Sequence, residues 1–218
     1  MGSEMCIRDR FIGGAEDHFD KRSNKELGAL DDRDLIKEME AKGVTFVNNL
    51  KALKKVKGRV GYFTAGGHPE SILKGRGDYL PKSIKPSIEF LSKESENGFF
   101  MMVEGSQIDW GGHRNDLEYA MTELYDFDRA VGAAMEFAKK DGNTLVLVTA
   151  DHETGGLTLP THDAESKQRY RKAGHAFSSG GHTSTMVPVY AYGKGADAFS
   201  GVYENTEIYH KLLNVMGK

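Results

Sequence analysis

Phe99-Phe100-Met101-Met102-Val103-Glu104 and Leu145-Val146-Leu147-Val148-Thr149-Ala150-Asp151-His152 each carry an uninterrupted apolar run into a cluster of ionisable residues. Such runs, without polar alternation, are expected of strands covered on both faces in a parallel sheet. Between them, from about Asn115 to Lys140, Leu117, Ala120, Met121, Leu124, Phe127, Val131, Ala134, Met135 and Ala138 recur at helical spacing and form one face of a long helix. Asp141-Gly142-Asn143 then turns the chain. Strand, crossover helix and strand of this length predict a right-handed parallel unit, with its ionisable clusters at the carboxyl ends of the strands, where open α/β sheets place their sites. The predicted fold class is α/β, a central, mostly parallel sheet flanked by helices.

The flanking sequence reads in the same alternating way. Asp31-Asp32-Arg33-Asp34 offers a helix cap, Leu35, Ile36 and Met39 an apolar stripe, and Gly43 a stop. Val44–Val47 predicts a strand, Asn48–Val56 a helix, and Arg59–Phe63 a second strand closed by Ala65-Gly66-Gly67. His68 to Lys82 reads as a long surface loop. A helix begins at Ser83 or Ser87, behind Pro81 and Pro86, and runs to Glu96. Leu157 to Gly180 is polar and glycine-rich and predicts a surface insertion. Val187–Tyr192 predicts a strand and Thr206–Val215 a closing helix.

Composition narrows the function classes. The 218 residues suit one domain or two small ones. Net charge is -3, from 29 basic and 32 acidic residues, so no global field recruits nucleic acid or anionic lipid. The densest basic run, Lys51 to Arg59, reads as the solvated face of a short helix. A single cysteine, Cys6, excludes an intrachain disulfide framework and a cysteine-rich zinc knuckle. No run of about eighteen apolar residues is present to span a membrane. Met1 to Arg10 lacks the apolar core of a signal peptide and resembles a translated sequencing-adapter scar. With residues 1–10 set aside, residues 11–218 are expected to be the C-terminal portion of a single domain whose true start lies further upstream.

Six candidate metal ligands occupy three clusters: Glu104, Asp109 and His113; Asp151 and His152; and His182. Carboxylate oxygen and imidazole nitrogen suit catalytic zinc, and oxygen alone suits magnesium. Each residue also has a plainer reading. Asp109 and His113 could be a helix-start cap and a solvent-facing histidine, Glu104 a partner of Arg114, Asp151-His152 a turn cap, and His182 an ordinary loop residue. Three clusters at one edge of one predicted sheet favour metal.

Glu104-Gly-Ser-Gln-Ile-Asp109-Trp-Gly-Gly-His113, Thr149-Ala-Asp151-His152-Glu153-Thr154-Gly-Gly156 and Gly181-His182-Thr183 resemble the alkaline phosphatase family in order, spacing and strand context. The resemblance runs from about Phe11 to the C-terminus. It implies an α/β protein with two zinc ions, one magnesium ion and a transiently phosphorylated serine, acting on small-molecule phosphate esters. By position, Asp109, His113 and His182 match the three protein ligands of the first zinc, which is complete here. Asp151 and His152 match two ligands of the second zinc, and Glu104 a magnesium ligand. Trp110 stands where relatives contact the phosphate, its alternative being a loop aromatic over the site. The resemblance further implies a periplasmic or secreted protein, compatible with a homodimer, with no nucleic-acid or membrane partner.

The chain also departs from the family. The aspartate bridging zinc and magnesium, the Asp-Ser-Ala-type nucleophile motif, a threonine-type magnesium ligand and the phosphate-binding arginine precede the matched region and have no counterpart here. Ser71 and Ser106 stand in the wrong context for the nucleophile, so no catalytic residue is assigned. The expected function is metal-dependent phosphomonoester hydrolysis by a whole protein of which this chain is an inactive part. The alternatives are a phosphodiesterase or sulfatase of the same superfamily, and a non-catalytic zinc-binding fragment.

Overall fold

The structure is a computed structural model that describes residues 10–22, 31–159 and 174–217. It divides into two compact units, Met1–Val103 and Glu104–Lys218. Positions 1–9 of the decapeptide set aside as a scar lie outside the described residues, whereas Arg10 opens the first strand.

In the first unit, β1 (Arg10–Gly13), β2 (Val44–Val47) and β3 (Arg59–Phe63) form a parallel sheet of order β1-β3-β2. Phe11 and Phe46 both lie in register with Gly61 of the central strand. A Cβ on Gly61 would stand 2.5 Å from the Phe11 ring and 2.7 Å from the Phe46 ring, so only glycine lets both aromatics close over the strand. Leu53, Val60 and Phe90 form the core beneath, joined by Ile12, Val47 and Leu50. Arg10 closes this core as a cation: its guanidinium lies 3.9 Å from the Phe90 ring centre and donates to the carbonyls of Pro86 and Leu53. Burial pulls its pKa down to about 10.

Around the sheet stand α1 (Asp17–Asp20), α2 (Leu35–Ala41) and α3 (Tyr79–Glu94). Asp34 caps α2 by accepting from the Lys37 amide at 3.0 Å, as the acidic run predicts. Two expectations change. The helix predicted over Asn48–Val56 is a single 3₁₀ turn, Ala52–Lys55, which the Asn49 side chain starts by accepting from the Ala52 amide at 2.9 Å. The loop predicted to run to Lys82 ends earlier, because α3 begins at Tyr79. Pro81 falls in the first turn, where amides have no intrahelical acceptor, and Pro86 is accommodated inside the helix.

The second unit contains α4 (Gln107–His113), α5 (Leu117–Asp141), β4 (Val146–Val148), β5 (Glu153–Thr154), β6 (His182–Thr183), β7 (Tyr190–Tyr192) and α6 (Glu207–Val215). The long helix, the strands at 146 and 190 and the closing helix match the sequence reading. The parallel strand–helix–strand unit does not. Phe99–Val103 forms no strand, with Phe100 61% and Met102 76% exposed, and β4 pairs antiparallel with β7 through Val146↔Tyr192. An apolar run becomes a strand only where a neighbouring backbone pairs with it, and residue type alone does not supply that neighbour. Residues 160–173 of the predicted insertion lie outside the described residues, while Thr158 and Ala176 on either side form an antiparallel bridge.

Candidate metal centre

Asp109 and His113 of the first ligand cluster lie on α4, a seven-residue helix in a stretch to which the sequence reading assigned no element. Its rear face explains the Gly111-Gly112 pair. A Cβ on Gly111 would stand 2.5 Å from the Ala120 nitrogen of α5, and one on Gly112 would stand 2.7 Å from the Thr154 carbonyl oxygen of β5. The glycines therefore let α4 lie directly on a helix at one residue and on a strand at the next. The buried Tyr119 hydroxyl donates to Gln107 Oε1 at 2.7 Å and fixes the start of α4 to α5. Asn115 takes a positive φ of 52° between the helices, and Asp116 caps α5 through the Tyr119 amide at 3.0 Å.

On α4, Asp109 and His113 are one turn apart and share a face. The β5–β6 ladder brings His182 to them. His113 Nε2 lies 3.2 Å from His182 Nε2 and 3.4 Å from Asp109 Oδ2, and His182 Nε2 lies 3.6 Å from Asp109 Oδ1. A tetrahedral ion with bonds of about 2.0–2.1 Å separates its ligands by about 3.3–3.4 Å, so the spacing of these three side chains lies close to that of a zinc site, and their nitrogen and oxygen donors are of the type zinc takes. The three side chains of Asp109, His113 and His182 remain 33, 39 and 50% exposed, so the cluster is accessible to solvent.

A surrounding shell fixes the donors. His113 Nδ1 lies 2.8 Å from the Gly180 carbonyl, so Nδ1–H donates there and the Nε2 lone pair is directed to the cluster. Thr154 donates its hydroxyl to Asp109 Oδ1 at 2.6 Å, and its oxygen accepts from His152 Nδ1 at 3.2 Å. His152 thereby presents Nε2 outward, 3.2 Å from Asp151 Oδ2. The His152 ring stacks on that of His182 with centres 3.5 Å apart, so the second ligand cluster adjoins the first. Asp151 itself is 85% exposed. Glu104 is exposed, ahead of α4, and is not gathered into the Asp109, His113 and His182 group. Trp110 is half-buried on α4, next to Asp109.

Two residues of this shell carried no role in the sequence reading. Thr154 tethers Asp109 and His152 together. Glu153 accepts from the Thr183 hydroxyl, from the Gly156 amide at 3.0 Å and from the Leu157 amide at 3.3 Å. The Thr183 hydroxyl and these amides hold its carboxyl below the usual carboxylate range against the opposing effect of burial. The available signal was local: a threonine two residues after a histidine, on a strand, places a hydroxyl on the same face as the ring.

The family model of alkaline phosphatase matches residues 4–170 and 160–217. Alkaline phosphatase 3 of Bacillus subtilis is 34% identical over 277 aligned positions, covering 95% of this chain and 58% of its own length. Alkaline phosphatase of Escherichia coli K12 is 28% identical, covering 96% and 52%. Among solved structures, alkaline phosphatase from the Antarctic bacterium TAB5 superposes with a TM-score of 0.82 at 41% identity, over 96% of this chain and 60% of that one. A mutant of the TAB5 protein with magnesium bound in the M3 site gives the same TM-score at 42% identity. The chain thus spans about 60% of these relatives' length or less.

Proposed function

The chain belongs to the alkaline phosphatase family, and we propose that it is the metal-binding portion of a zinc- and magnesium-dependent phosphomonoesterase acting on small-molecule phosphate esters. One observation carries the proposal: Asp109, His113 and His182 present two imidazole nitrogens and the two oxygens of one carboxylate at distances of 3.2–3.6 Å, close to the roughly 3.3–3.4 Å edges of a zinc tetrahedron. Those three residues hold the first zinc. Asp151 and His152 contribute to a second zinc beside it, Glu104 to magnesium, and Trp110 covers the phosphate subsite from α4. When bound, the ions supply Lewis-acid polarisation and charge neutralisation at phosphoryl oxygens.

The protein's own share is positional. The Gly180 carbonyl holds the His113 proton on Nδ1, and the Thr154 hydroxyl orients Asp109 while accepting from His152. This chain of hydrogen bonds leaves the lone pairs of His113 and His152 on Nε2 without a conformational search. As a 218-residue chain, the protein binds zinc but does not turn over phosphate esters. Its serines do not stand in the Asp-Ser-Ala-type nucleophile motif, and no arginine in it matches the family's phosphate-binding residue. A periplasmic or secreted location and a homodimer belong to the same proposal and rest on family membership alone.

Zinc titration in competition with a chromophoric chelator tests the assignment. The chain should take up one tightly bound zinc per molecule, and His182→Ala should lose it. A wild-type chain that leaves all zinc on the chelator overturns the proposal.

A further inference from the structure

We propose that Glu153 and Thr183 form a positioning pair that clamps β5 to β6 and so holds His182 against Asp109. The inference rests on the reading of Asp109, His113 and His182 as a zinc site. Strands β5 and β6 have two residues each, paired as Glu153↔Thr183 and Thr154↔His182. Side chains alternate along a strand, so the two pairs lie on opposite faces of the ladder. Thr154 and His182 face Asp109, at 2.6 and 3.6 Å. Glu153 and Thr183 meet on the other face, outside the Asp109, His113 and His182 group.

A two-stranded ladder of this length is not stable on its own in water. Among the side chains of this ladder, the Glu153 carboxylate bonds both to the opposite strand and to the turn. Its Oε2 accepts from the Thr183 hydroxyl and the Gly156 amide, and its Oε1 from the Leu157 amide. A single charged group therefore joins the neighbouring strand to the turn that follows its own. That turn runs through Gly155 and Gly156, with φ of 91° and 58°; its Gly155 amide donates to the Gly181 carbonyl at 3.0 Å, and its Gly155 carbonyl accepts from the Ser178 and Ser179 amides at 3.0 and 3.1 Å. Thr183 Oγ1 also lies 3.2 Å from Thr185 Oγ1 and accepts from the Thr185 amide at 3.4 Å, which extends the clamp along the chain beyond β6. Bonds to a carboxylate are the strong members of such a set. Removing the clamp leaves every ligand in place but frees the strand that carries His182.

Metal sites tolerate ligand displacements of about 0.2 Å, and losing an outer partner typically weakens binding by about 10–100-fold. The 218-residue chain and its variants Thr183→Val, Thr183→Ser and Glu153→Gln are titrated with zinc against a chromophoric chelator, with circular dichroism recorded for each. Thr183→Val and Glu153→Gln should weaken zinc by about 10–100-fold, whereas Thr183→Ser, which keeps the hydroxyl, should restore wild-type affinity. The double variant should be no weaker than the worse single one, because both changes break one device. Cobalt substitution adds a geometric readout: the visible band of the tetrahedral ion should shift in Thr183→Val and return in Thr183→Ser. Unchanged zinc affinity in folded Thr183→Val overturns the inference, and so does a Thr183→Val chain that cannot fold, since the hydroxyl would then support the fold at large. A wild-type chain that binds no zinc refutes the zinc assignment instead, and that outcome is visible before any variant is compared.

Discussion

Gly112→Ala should loosen the metal centre from the α4 side. A Cβ at this position would stand 2.7 Å from the Thr154 carbonyl oxygen and 3.0 Å from Thr154 Cβ and Cγ2. The carbonyl is backbone, so it cannot rotate aside as the tip of a flexible side chain would. Widening that 2.7 Å to an ordinary contact of about 3.4 Å requires α4 and β5 to part by about 0.7 Å. Asp109 and His113 ride on α4, while Thr154 and its cross-strand neighbour His182 ride on the ladder, so the displacement falls across the ligand set. It exceeds the roughly 0.2 Å that a metal site tolerates. Overpacking of this kind costs about 1–3 kcal/mol of stability, and zinc should bind at least about tenfold more weakly. Gly132 on α5 supplies the control, because its Cβ would meet nothing within 4 Å. Gly132→Ala should stabilise by about 0.5–1 kcal/mol and leave zinc binding unchanged. Urea unfolding and chelator competition on the two variants measure both quantities. A Gly112→Ala chain with wild-type stability and wild-type zinc affinity would refute the claim that close approach of α4 and β5 sets the site.

His182→Ala should abolish most tight zinc binding, whereas His152→Ala should matter less; metal analysis that finds His152→Ala the more damaging change reverses the assignment of the complete site. The purified chain, supplied with zinc and magnesium, should hydrolyse an aryl phosphate several orders of magnitude more slowly than a complete phosphatase, because no nucleophile and no arginine clamp act with the metals. Chelator-sensitive turnover in a colorimetric assay at alkaline pH would contradict this. Glu153 has a lowered pKa in the fold, chiefly through the Thr183 hydroxyl, so its contribution to stability is present above the unfolded-state value of about 4.3 and is lost as pH falls through the folded value. Thermal unfolding from neutral pH to about pH 3 should therefore narrow the gap between the wild type and Thr183→Val, and a gap that stays constant over that range counts against the carboxylate as the acceptor.

What the sequence revealed follows the range of the physics involved. The α5 stripe from Leu117 to Ala138 was legible because helical hydrogen bonds are local and the apolar spacing needs only this helix to be read. Asp109, His113 and His182 were legible as candidate ligands by residue type and order, although only the fold brings positions 109 and 182 together. Phe99–Val103 was misread because a strand is a property of two backbones, and the apolar run specifies only one. The seven residues of α4 were missed because Gly111 and Gly112 argue against a helix locally, while the close approach to Ala120 and Thr154 that requires them is tertiary. Thr154 and Glu153 were missed for the same reason. Their acceptors and donors, Asp109, Thr183 and the Gly156 amide, are specified by register and turn geometry rather than by composition.

An anomalous difference map recorded at the zinc edge from crystals of the zinc-loaded chain would locate the ion among the candidate ligand side chains. A peak is expected within about 2.0–2.2 Å of an Asp109 carboxylate oxygen, His113 Nε2 and His182 Nε2 together. A peak held by other residues, or none near these three at saturating zinc, would contradict the zinc assignment.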